Sequence, residues 1–250
     1  MQFFTPINLI LCLEETKMSR QPLRVGLIVP SSNTVMEPDF HRQIGAAAIV
    51  STTRILLEDV TREAEIRMLE DDLPHAVKRI GTTAPDVVVF GCTSAGALGK
   101  LSHDDAIARM IEEKAGTRAV TVLRAVLVRL AALRPSKVAV FTPYIEDLTN
   151  SIARSLDEAG YPAIKAAGMG IKANLEIGRV TPAEIVRFVE SQLSGTDPDC
   201  VFLSCTNWRA IAAIDSLQKK FGIPIVSSNQ AALDLVRQQA EANLVEEARP

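Results

Sequence analysis

Residues 86–96 read DVVVFGCTSAG, and residues 199–209 read DCVFLSCTNWR. Each is a short apolar, β-branched run opened by an aspartate and closed by a cysteine and a threonine. Runs of four to eight such residues bounded by turn signals read as strands buried on both faces. Positions 86 and 199 are 113 apart. The same offset relates RVGLIVPSSN at residue 24 to KVAVFTPYIE at residue 137. A looser match pairs AVTVLRAVLVRL at 119 with PIVSSNQAALDL at 224. One offset shared by two separated strand-turn units predicts an internal duplication. Cys92 and Cys205 are then the same position written twice.

Working outward, strands alternate with helical patterns. Arg24–Pro30, Asp86–Phe90, Ala119–Leu123, Lys137–Phe141, Asp199–Leu203 and Ile223–Val226 read as strands. Glu63–Thr82 has helical spacing, with Ile66, Leu69, Leu73, Val77 and Ile80 on one face. Further helices are predicted over His103–Gly116, Val126–Leu133, Leu148–Ala159, Pro182–Leu193, Arg209–Phe221 and the Ala/Leu-rich C-terminal stretch. The alternation predicts an α/β fold of two pseudo-symmetric domains with parallel sheets and a site in the cleft between them. The expected division is an extension over 1–20, a first half over 21–134 and a second over 135–250.

Composition narrows the function. Of 250 residues, 47% are hydrophobic and 23% charged, the balance of a core-forming chain. Lys+Arg number 27 against 30 Asp+Glu, a net charge of −3, so no basic excess serves a nucleic-acid backbone or an anionic membrane. Aromatics at 4% are too few for stacking platforms. Ile7–Leu13 is too short to span a membrane and is followed by Glu14 and Glu15 rather than by a cleavage signal. Met18 precedes the first convincing strand, and residues 1–17 read as an extension before a natural start there. Four cysteines without a C-x-x-C pair, and three histidines without ligand spacing, predict neither a zinc site nor a disulfide framework. A cytoplasmic setting is expected.

Ligands of parallel sheets bind beyond the carboxyl ends of the strands. Matched loops from two halves would present Cys92 and Cys205 to opposite sides of one ligand. Backbone N–H groups at the following turns would draw each thiol toward thiolate and could hold a carboxylate or enolate oxygen. Ser31, Ser32, Asn33, Thr93, Ser94, Tyr144, Thr206 and Asn207 offer neutral donors for a small anionic molecule. Cys200, inside a strand, reads as core, and Trp208 as packing. Arg209 and the three histidines read as surface. Gly168-Met-Gly170 and Lys100 lack the spacing of nucleotide-binding loops.

These residues resemble a known group. RVGLIVPSSNTVME (Arg24–Glu37), the two cysteine loops, VAVFTPY (Val138–Tyr144) and PIVSSNQAALDL (Pro224–Leu235) are similar to the Asp/Glu/hydantoin racemase superfamily. Within it they look most like the maleate cis-trans isomerase and arylmalonate decarboxylase branch. The similarity runs from about Arg24 to Arg237. It implies two pseudo-symmetric α/β domains, no cofactor, no metal and a homodimer or higher homo-oligomer. The apolar face of Val126–Leu133 is a candidate interface. The resemblance also implies Cys92 as the nucleophile toward the maleate double bond and Cys205 as the thiol that donates and recovers a proton. Asn33, Tyr144 and Asn174 match substrate-contacting positions. Arylmalonate decarboxylases keep the second cysteine alone, so Cys92 argues against decarboxylation. The polar loops after the cysteines look closer to amino-acid racemases, which leaves two-base racemisation of an Asp- or Glu-like acid as the alternative. A non-catalytic ligand-binding protein is the remaining class.

Overall fold

A computed structural model describes residues 22–247. The expectations for residues 1–20 lie outside them. The first sheet contains β1 (Leu23–Pro30), β2 (Ala48–Ile55), β3 (Val87–Phe90) and β4 (Arg118–Thr121) in the order β2-β1-β3-β4. The second contains β5 (Val138–Thr142), β6 (Ala163–Gly168), β7 (Cys200–Leu203) and β8 (Ile225–Ser227) in the order β6-β5-β7-β8. Every pairing within these sheets is parallel.

The duplication holds at the level of register. Val25 pairs with Val87 in the first sheet, and Val138 pairs with Cys200 in the second. Both residues of the second pair lie 113 positions beyond their counterparts. Asp86 accepts the Arg24 N–H at 2.7 Å, and its counterpart Asp199 accepts the Lys137 N–H at 2.9 Å. Each aspartate therefore pins the entry of the neighbouring central strand. The outer pairing corrects the looser sequence match by one residue. Val88 faces Ala119 where Val201 faces Ile225, so Ala119 is equivalent to Ile225 rather than to Pro224. That register makes Thr121 and Ser227 equivalent, and both cap the helix that follows. Thr121 Oγ1 accepts the Arg124 N–H, and Ser227 Oγ accepts the Gln230 N–H, each at 3.3 Å.

Helical segments of α type connect or follow the strands. They are α1 (Met36–Ile44), α2 (Arg62–Arg67), α3 (Leu73–Gly81), α4 (Thr93–Gly96), α5 (Leu101–Ala115), α6 (Val122–Leu133), α7 (Glu146–Glu158), α8 (Asn174–Arg179), α9 (Pro182–Leu193) and α10 (Ile211–Phe221); the C-terminal α11 (Ser228–Glu247) completes them. The edge strands β2 and β6 escape a search for apolar runs because AIVSTTRI and AIKAAG are only half buried. The strand expected over Ala119–Leu123 ends at Thr121, whose side chain starts α6 four residues earlier than expected. Val126 and Leu130 are buried, and α11 packs against α6, so this chain covers much of the face expected to bind a second copy.

The segment after β2 departs most from the sequence pattern. It is one helical path interrupted by a π turn, Met68–Asp72, between α2 and α3. Pro74 stands two residues beyond it, and a proline removes a helix donor and crowds the preceding turn. The wider turn absorbs that misfit, with the Leu73 N–H reaching back five residues to the Met68 carbonyl. One extra residue per turn rotates everything upstream by about 100°. Leu73, Val77 and Ile80 keep the predicted inner face, but Ile66 is 38% exposed and Glu65 is buried in its place.

Candidate active site

β3 and β7 deliver their cysteines to the same end of the molecule. Gly91 brings the first loop in tightly. Its N–H donates to the Ile28 carbonyl at 2.7 Å, and a Cβ there would lie 2.5 Å from Met36 Sδ. Cys92 follows in extended conformation as the first residue of a turn continued by α4. Cys205 stands in the equivalent loop after β7. The two thiols are 5% and 4% exposed. Tyr144, from the loop after β5, is buried with its hydroxyl hydrogen-bonded to Cys205. The Asn207 N–H donates to Cys205 Sγ at 3.3 Å.

Most of the polar residues singled out from sequence meet at the junction of the halves. Asn33 Oδ1 accepts the Val35 and Met36 N–H groups at 3.0 Å, starting α1, while its Nδ2 donates to Thr206 Oγ1 at 3.0 Å. Thr206 Oγ1 in turn donates to the Gly91 carbonyl at 2.9 Å. Asn207 accepts the Thr34 N–H at 2.8 Å and donates to the Asn174 carbonyl at 2.6 Å. Asn174 Nδ2 donates to Ser32 Oγ at 2.9 Å. Ser31 and Ser32 also hold Leu57, Ser31 Oγ accepting its N–H and Ser32 Oγ donating to its carbonyl. Thr93 Oγ1 donates to Ser228 Oγ at 2.9 Å. Arg209 is exposed and shares a surface recess of about 400 Å³ with Thr34, Asp39 and Arg42. Trp208 is fully buried edge-on to Phe188, and Cys200 is core.

Close packing at this junction depends on a glycine. A Cβ on Gly178 would lie 2.6 Å from Thr34 Oγ1 and 3.0 Å from Asn207 Oδ1. Gly178→Ala is therefore expected to cost about 1–3 kcal/mol through overpacking. Gly81→Ala, at the end of a helix with ordinary space around it, should be neutral or slightly stabilising. Paired thermal melts of the two variants check this, and equal shifts would contradict it.

Two participants belong to neither cysteine-loop motif. Ser228, at the start of α11, ties the cysteine loops together. Besides the Thr93 hydroxyl, its Oγ accepts the Cys205 N–H at 3.1 Å. The Ser-Ser-Asn that begins at the last residue of β8 and repeats residues 31–33 is its only signal. Glu65 is the second. It is fully buried, accepts the Ser94 hydroxyl, and has Cys92 Sγ 3.9 Å from its Oε1. Nothing in the spacing of Thr-Arg-Glu-Ala-Glu-Ile marks it, because the π turn decides its direction.

The electrostatics reverse the expected thiolates. Burial pushes Cys205 up to about 12, against the opposing hydrogen bonds from Tyr144 and the Asn207 N–H. Burial and then the neighbouring Glu65 hold Cys92 well above the ordinary thiol range, outweighing the Ala95 N–H and Ser94. Burial raises Tyr144 as well, with the Cys205 and Cys92 charges acting the same way. Loss of water dominates when a charge has no counterion, and a four-residue helix supplies too little compensation. Glu65 itself is raised to about 8 by burial, despite Ser94 and the more distant Arg62. Among the described residues no cluster of three or more His, Cys, Asp or Glu could hold a metal ion, and no helix is long and apolar enough to cross a membrane.

Fold and site together define a two-lobed α/β protein that brings one buried cysteine from each lobe to a shared junction. The family model for arylmalonate decarboxylase matches residues 25–248, and the chain belongs to that family. Maleate isomerase of Geobacillus stearothermophilus is 25% identical over 219 residues, covering 82% of this chain and 86% of that protein. Arylmalonate decarboxylase of Bordetella bronchiseptica is 28% identical over 215 residues, covering 85% and 89%. The fold matches a mutant of Nocardia farcinica maleate cis-trans isomerase carrying a covalently bound succinylcysteine intermediate, with TM-score 0.81, 22% identity and coverage of 88% and 94%. The branch suggested by the sequence motifs is thereby confirmed.

Proposed function

We propose that the protein is a cofactor-independent cis-trans isomerase of a small dicarboxylate, with maleate as the first candidate. The observation that carries this reading is the pair of buried thiols on matched strand ends, one backed by a carboxyl group and the other by a tyrosine. Cys92 as thiolate adds to one alkene carbon, forming a C–S bond while the π electrons pass into the adjacent carboxylate. The resulting enediolate is stabilised by the polar loops. The former double bond is now single and rotates. Cys205 lends a proton to the carbanionic carbon and takes it back, and expulsion of the Cys92 thiolate leaves the trans alkene.

The relatives support this reading by name, and the succinylcysteine in the Nocardia enzyme is the kind of adduct such a route forms. The threonine after each cysteine favours amino-acid racemisation as a second reading. Against it, the Thr93 and Thr206 hydroxyls are both engaged in contacts between the halves. Proton NMR in deuterated water separates the two. Maleate should give fumarate, whereas aspartate and glutamate should gain no deuterium at Cα. Exchange at Cα without any fumarate would replace the isomerase by the racemase. A homodimer is proposed from the resemblance, and a monomer by sedimentation would refute it.

A further inference from the structure

Arg62, Glu65, Ser94 and Cys92 form a cluster in which one carboxyl group has no counterion. The Arg62 guanidinium is engaged elsewhere, reaching Asp147 at 3.2 Å, the Leu98 carbonyl at 2.8 Å and Ser151 at 2.8 Å. Ser94 donates its hydroxyl to Glu65 Oε1 and thereby fixes the carboxyl group. Glu65 Oε2 is buried and has no hydrogen-bond partner. An ionised carboxylate held in this way is costly, and a proton delivered to it relieves the cost. The nearest exchangeable proton on a nucleophile is that of Cys92, whose Sγ lies 3.9 Å from Oε1 and 3.8 Å from Ser94 Oγ.

We infer that Glu65 is the base that takes the Cys92 proton and that Ser94 positions it for that transfer. The inference rests on the proposed nucleophilic role of Cys92. The S–H bond breaks, an O–H bond forms on Glu65, and the pair keeps a single negative charge that moves from oxygen to sulfur. When the thiolate is expelled at the end of the cycle, the same proton returns. The charge is confined because the other groups that interact with Glu65 electrostatically supply little compensation. From its own helix there is Arg62, already committed to the second half. From the turn after β3 there are Ser94 and Cys92. From the second half comes the field of Cys205 and Tyr144, which are neutral in the resting protein. Carboxyl and thiol therefore titrate as one unit. The first proton leaves near the ionisation of Glu65, at about 8, and the thiol becomes reactive in the same step.

The test needs no substrate. Iodoacetamide is small and uncharged, and mass spectrometry resolves its reaction at Cys92 from that at the other cysteines. In the unmodified protein the rate at Cys92 should rise with a midpoint near pH 8. Glu65→Gln should move that midpoint up by at least about one pH unit and slow the reaction at pH 8 by about tenfold or more. Glu65→Asp should fall between the two. General-base loss should also lower kcat/KM for maleate by about 100-fold. Glu65→Leu, which removes the buried charge and leaves the Ser94 hydroxyl with Cys92 Sγ at 3.8 Å as its neighbour, must show the same displacement if Glu65→Gln fails to fold. An unchanged midpoint and rate in either folded variant would overturn the inference. If the profile shifts but maleate is not turned over, the substrate assignment fails and the role of Glu65 stands. If maleate is turned over and the profile does not move, the reverse holds.

Discussion

Cys205→Ser should leave Cys92 carrying one equivalent of dicarboxylate after exposure to maleate, whereas Cys92→Ala should carry none and should lose turnover by about 10³-fold or more. The asymmetry follows from the different surroundings of two residues that began as repeats. Cys92 has a carboxyl oxygen within reach of its proton. Cys205 has the Tyr144 hydroxyl and the Asn207 N–H instead, which suit a group that gives a proton and waits to receive it. Without the second thiol, the adduct should gain a proton it cannot efficiently return, and the chemistry should stall on Cys92. Intact-mass measurement followed by peptide mapping reads the result. An adduct at position 205, or at neither position, would sink this division of roles, as would turnover that survives Cys92→Ala.

Much of this arrangement is legible in the amino-acid sequence. Two strand-turn units at one offset mark the duplication, and the pairing of the central strands repeats it residue for residue, with Val25 opposite Val87 and Val138 opposite Cys200. Such a signal is strong because central strands are buried on both faces and must read as apolar runs. The edge strands β2 and β6, covered less completely, carry mixed sequences that no period reveals. The cysteine loops were legible because repetition singled them out. Glu65 was not, since its burial is set by the helix geometry around Pro74 and not by the local alternation of residues. The direction of the thiol shifts was also missed. A cysteine before a turn suggests stabilisation of the thiolate by backbone N–H groups, but sequence does not report how completely water is excluded. In the folded chain exclusion wins at both sites.

That same exclusion should make the protein lose stability as the medium becomes more alkaline. Glu65 ordinarily ionises at 4.5, and in the folded chain at about 8. Asp104, buried on α5 with Oδ1 unpartnered, moves from 3.8 to about 6, again through burial. In each window the unfolded chain has already released a proton that the native chain retains. The native state binds more protons there, so the free energy of unfolding falls as pH rises. At about 1.4 kcal/mol per pH interval of displacement, Glu65 accounts for a loss on the order of 5 kcal/mol between pH 4.5 and 8, and Asp104 for about 3 kcal/mol between 3.8 and 6. Above pH 6 the Asp104 contribution is complete, leaving Glu65 to dominate the slope up to 8. Urea unfolding at pH 6, 7 and 8 should show a falling midpoint in the unmodified protein and a nearly level one in Glu65→Gln. Asp104→Asn should lie parallel to the unmodified protein over that range. Parallel curves for Glu65→Gln would mean that the carboxyl group is not held protonated. If the curves diverge, the pH near 8 at which this loss levels off is the pH at which Cys92 gains its reactivity. The destabilising charge near β3 would then be the charge that reaches the nucleophile, and an apolar replacement at Glu65 should produce a sturdier protein with a slower thiol.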